Sequence, residues 1–137
     1  MKKIAIIVTR GAYNNLLQAC QWALFAVESG WQVSLLFRDE AAPKVTIEKV
    51  QELTFSDAYR GREVKVRTLL KDRKLHDLPM LLRDIKEKGD AKFSVCRESL
   101  EYFEIPVEKL IPELDEVQRA EAFWKEAVLP ADQVLTF

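Results

Sequence analysis

A three-layer α/β/α domain with about five strands in a mainly parallel sheet is what this sequence predicts. Three observations lead there. The run Ile4–Val8 is apolar, rich in β-branched residues and shows no polar alternation, as a strand buried on both faces does. Strand-like runs then alternate with helix-like ones along the chain. Gly30 and Gly89 close two of the helix-like runs, and a third stops before Pro106.

The 137 residues suit one domain, 1–137, large enough to bury a core without disulfide staples. With 48% hydrophobic and 31% charged residues and a formal net charge of −1, nothing draws the chain to nucleic acid or an anionic membrane. Cys20 and Cys96 lie far apart and outside any CxxC, which excludes a disulfide framework. MKKIAIIVTRG starts like a signal peptide, but its apolar run is too short for a leader or a span. The expectation is a cytoplasmic protein.

Taken in order, Ile4–Val8 forms the first strand and Thr9-Arg10-Gly11 ends it. Asn14 or Asn15 can cap a helix running to about Ser29. NLLQACQWALFAVES has only Gln18, Gln21 and Glu28 as long polar side chains, so its outer face lacks a polar stripe and calls for a cover, most simply another subunit. Gly30 caps that helix and Trp31–Phe37 is the second strand. Lys44–Leu53 reads as a short helix. Thr54–Lys74 has no readable periodicity, and its part from Arg60 to Lys74 is basic, the usual mark of a solvated segment and less often of an RNA-phosphate edge. DLPMLLRDIKEK is a helix capped by Asp77, with Pro79 in its first turn and Gly89 after its end. Ala91–Val95 is the third strand, Arg97–Phe103 a helix, Val107–Leu114 ambiguous, Asp115–Val128 an amphipathic helix and Gln133–Phe137 the last strand.

Sites in such sheets lie beyond the carboxyl ends of the strands, where Thr9–Asn14, Arg38–Asp39 and Cys96–Arg97 should meet. Cys96 stands at a strand-to-helix junction, where helix N–H groups and Arg97 would favour a thiolate at the mouth of a pocket. An inert core cysteine is the competing reading. Cys20, inside an apolar helix, is a core residue. The chain lacks GxGxxG and Walker loops. His76 is the only histidine and reads as a surface residue, which leaves no zinc cluster and no Cys–His pair unless it folds back toward Cys96. Glu98 and Glu101 read as a solvated helix face.

The segments IIVTRGAYNN, WQVSLLF, LPMLLRDIKEKGDAKFSVCRESLEYFEI and ADQVLTF together resemble the DsrE/DsrF-like family, which includes the TusD-type sulfur-relay proteins. The stretch around Cys96 is the most specific part of the likeness. The resemblance implies that Cys96 carries sulfur as a persulfide, that protein partners donate and accept it, and that the chain assembles as a trimer or hexamer. Family members often have a glycine before the isoleucine that follows this helix, where this chain has Glu104.

The leading expectation is therefore a sulfur carrier or sulfurtransferase subunit with Cys96 as nucleophile. Arg97 would steady the anion, Tyr13 and Asn14 would shape the pocket, and Arg38 is a further candidate for that role. No metal or organic cofactor is required. The alternative is a non-enzymatic, oligomeric interaction or ligand-binding subunit in which Cys96 is structural.

Overall fold

The computed structural model describes residues 1–137. Five parallel strands form one sheet in the order β4-β3-β2-β1-β5, where β1 is Lys3–Val8, β2 Gln32–Phe37, β3 Ala91–Cys96, β4 Glu116–Gln118 and β5 Gln133–Thr136. The fold is a three-layer α/β sandwich. β1 lies inside the sheet between β2 and β5, in keeping with its unbroken apolar run, and its register sets Ile4 beside Val33 and Gln133.

The two faces are covered unequally. On the first, Ile4, Ile6 and Val8 of β1, Val33, Leu35 and Phe37 of β2, and Phe93 and Val95 of β3 form one large core with α1 (Tyr13–Glu28) and α3 (Leu78–Lys88). On the second, Ala5, Leu36 and Cys96 meet a single buried aromatic, Phe123. Its cover is a four-residue helix, α5 (Ala120–Phe123), running into a wider π-helical turn, Trp124–Val128, closed by the Leu129 N–H donating to the Trp124 carbonyl. Fully burying each large apolar side chain contributes roughly 1.5–3 kcal/mol, so the first face supplies most of the stability.

Local sequence accounts for most boundaries. α1 starts at Tyr13, not at Asn14 or Asn15, with no side-chain cap, because its first N–H donates to the Thr54 carbonyl at 2.6 Å. Gly30 follows it at φ +82°, the left-handed conformation glycine adopts without a Cβ penalty. Asp77 caps α3 by accepting from the Met80 N–H, and Gly89 stands just past its end.

Several expectations are corrected. Lys44–Leu53 is a 3-10 turn at Pro43–Val45 followed by further turns, tied down where Thr46 bridges Leu110. The basic segment contains α2 (Glu63–Asp72), a surface helix with no fully buried residue. The Asp115–Val128 helix is instead β4, then α5 and the π turn. Glu104 lies at φ +53°, just beyond α4 (Arg97–Tyr102), where glycine would sit without strain.

Candidate functional site

Cys96 ends β3 and is at the same time the residue that caps α4, with extended φ/ψ. Because side chains alternate along a strand, Phe93 and Val95 go to the large core while Ser94 and Cys96 go to the second face. There the thiol is completely enclosed by Ala5, Leu36 and Phe123, with Ile7 and Ala120 beside them. This corrects the expectation of a sulfur at a pocket mouth: the cover of α5 and the π turn lies over it.

The polar partner of the sulfur is a carboxylate. Cys96 Sγ donates to Glu98 Oε1 at 3.3 Å. The same oxygen accepts from the Ala120 N–H at 2.9 Å, and Oε2 accepts from Arg119 Nη1 at 3.2 Å. Glu98, in the first turn of α4, therefore holds the start of the cover. The Ala120 N–H first, then the Cys96 thiol and Arg119, hold its carboxyl at about 2, far below the ordinary value of 4.5. Glu98 is thus not a residue of a solvated acidic face. The feature that could have revealed it is an acid two residues after a strand-ending cysteine, in the first turn of a helix.

The other expected site residues lie elsewhere. Arg97 is half-buried, borders a shallow depression with Leu100, Glu104 and Ile105, and makes no ion pair. Tyr13 is buried in the core of the opposite face, its hydroxyl donating to the Leu75 carbonyl at 2.6 Å, and burial raises its pKa. Asn14 fastens the 54–56 segment: its Nδ2 donates to Ser56 Oγ and its Oδ1 accepts from the Ser56 N–H. Arg38 is exposed at the end of β2. So Tyr13 and Asn14 do not gather around Cys96, whereas Arg38 follows the Phe37–Val95 pair and stands beside Cys96 in the strand register. The carboxyl edge is instead organised by Ser99, which is buried and accepts from the Asp39 N–H at 2.7 Å, with Asp39 at φ +54°.

Cys20 lies in the large core as expected, and burial pushes its thiol up to about 12. His76 is half-buried rather than on the surface, with an enclosed, unpartnered Nδ1. It lies next to Leu75, whose carbonyl binds Tyr13 on the face away from Cys96.

No family model matches the sequence, and no curated protein matches it. The fold is similar to that of a conserved protein of unknown function from Bacteroides thetaiotaomicron, with a TM-score of 0.58 and 12% identity over 99% of this chain and 95% of that one. At that identity the likeness concerns the fold alone. No helix is long and apolar enough to cross a membrane.

Proposed function

We propose that the protein is a sulfur carrier whose nucleophile, Cys96, is kept under a displaceable cover. The observation that carries this reading is the placing of a free cysteine at the carboxyl edge of a parallel sheet, under a cover of one short helix and a π turn fastened by Glu98. The resemblance around Cys96 supports the chemistry. With the cover displaced by a partner, the Cys96 thiolate attacks the outer sulfur of a donor persulfide, RS–SH. A new S–S bond forms to Cys96, the donor S–S bond breaks, and the donor leaves as RS⁻. A partner thiolate then takes the terminal sulfur and Cys96 leaves as thiolate, so neither step needs an oxidant, a metal or an organic cofactor.

Mixing the protein with a protein persulfide donor is expected to add sulfur to Cys96, removable by reductant and visible in the intact mass. Cys96→Ser should abolish loading and Cys20→Ser should leave it intact. Loading that survives Cys96→Ser would overturn the proposal.

A second reading, a non-enzymatic oligomeric subunit with a structural Cys96, is favoured by the complete enclosure of that thiol. Both readings include self-assembly. Trp22 and Phe25 form an edge-to-face pair at 5.7 Å on the outside of α1, each about half exposed at 49% and 51%. With Trp31, Leu135 and Phe137 they line an apolar groove of about 450 Å³ beside the edge strand β5. An aromatic-lined groove of this kind fits a subunit interface. Sedimentation at micromolar concentration should give an oligomer, with trimer or hexamer implied by the resemblance; a monomer throughout would refute the assembly.

A further inference from the structure

The second face of the sheet changes character along the strands. Near the carboxyl ends it is apolar and lies under Phe123. Toward the amino ends it carries polar side chains, which with the π turn line a cleft of about 230 Å³. The floor holds Ser34 of β2 and Ser94 of β3. Ser94 is only 2% exposed, yet its hydroxyl has no hydrogen-bond partner in the protein, and neither has that of Ser34. With no protein partner, the Ser94 and Ser34 hydroxyls open onto the cleft and are free to bond whatever occupies it.

The charges around the floor are separated. Lys92 is already neutralised by Glu116 at 2.8 Å. Of the others, Lys3, on the β1 side, has no ion-pair partner, and Glu126, on the β4 side, is in no direct ion pair but lies within Coulomb reach of Lys92. Gln118 Nε2 donates to Glu126 at 2.7 Å, which leaves the Gln118 carbonyl oxygen free as an acceptor. β1 and β4 are three strand spacings apart, about 14 Å, and Lys3 and Glu126 both line the cleft between them. An isolated anion in the cleft meets Glu126 and an isolated cation meets Lys3. A molecule carrying both charges satisfies both ends, and the cleft volume suits only a small one.

We propose that this cleft binds a small zwitterion, a free amino acid, with its carboxylate toward Lys3 and Ser34 and its ammonium toward Glu126 and the Gln118 carbonyl. The free Ser94 hydroxyl is the floor contact. The proposal is independent of Cys96 chemistry.

The test is an amide NMR titration of the full chain with each common amino acid, and with succinate, putrescine and glucose as single-charge-type and neutral controls. At least one amino acid should saturate at millimolar concentration or below, with shifts centred on residues 34, 94 and 118. Lys3→Gln and Glu126→Gln, both at exposed positions that should leave the fold intact, should each weaken that binding by about tenfold. No saturable shift at those residues with any amino acid would overturn the proposal. So would succinate, putrescine or glucose binding as tightly as the best amino acid, or affinity unchanged in both variants.

Discussion

Glu98→Ala should raise the rate at which Cys96 reacts with a thiol reagent by about 30-fold, because it unfastens the cover that encloses the sulfur. The variant loses the hydrogen bonds from the Ala120 N–H and Arg119 to a carboxylate whose side chain is one-quarter exposed. Charge-assisted bonds of this kind contribute about 2 kcal/mol together in such a setting, which converts to about 30-fold in the opening equilibrium. Cys20, enclosed in the large core, should stay unreactive and serves as the internal control. Acid reaches the same fastening. A carboxyl whose folded value is held near 2 contributes stability that is complete above its ordinary 4.5 and is lost as the pH falls toward 2. Wild-type Cys96 should therefore stay masked at neutral pH and become faster toward an acid-tolerant pyridyl disulfide as pH drops from about 5 to about 3. Labelling rates with peptide mapping decide the matter: equal rates for Cys96 in wild type and Glu98→Ala would mean that Glu98 does not hold the cover.

Gly11→Ala is expected to destabilise the protein by about 2–3 kcal/mol, and Gly11→Val by more. The reason is distance, not backbone conformation. A Cβ at this buried position would lie 2.6 Å from the carbonyl oxygen of Glu40, a backbone atom that no rotamer change can move away. The turn after β2 and the loop after β1 would have to separate, which disturbs the Asp39–Ser99 contact at the carboxyl edge. Denaturant midpoints measure this directly. A Gly11→Ala midpoint matching wild type would show that the two loops give way at no cost.

The parts of the fold legible in the sequence are those whose burial leaves a pattern. β1, β2 and β3 read as strands because the large core takes every second residue and Ala5, Ile7, Leu36 and Cys96 on the second face are apolar as well. α3 shows its cap, its Pro79 and its apolar stripe Leu78, Leu81, Leu82 and Ile85. β4 was not legible: three half-buried residues, Glu116–Gln118, at a sheet edge carry no periodicity, and their charged neighbours favour a helical reading. α2 hides for a related reason, having no fully buried residue to mark a face. The place of Cys96 at a strand end is legible in the sequence, but its surroundings are not. Glu98 is satisfied by the N–H of Ala120, 22 residues away, which the sequence reading places inside a longer helix where that N–H would be taken up. Tyr13 and Asn14 are directed by Leu75 and Ser56, partners just after and within a stretch without readable order.

The placing of β5 against β1 bears on how the chain reaches its native state. Ile4 pairs with Gln133, so the interior strand β1 gains its second neighbour only from a segment made much later than itself. Until then the side of β1 that will face β5 presents unpaired backbone groups along an apolar strand. Such very non-local pairing slows folding, because the loop-closure entropy comes before the contacts that reward it. During synthesis the intermediate would have β4-β3-β2-β1 formed and a bare β1 edge, the kind of edge on which nascent chains aggregate or recruit a chaperone.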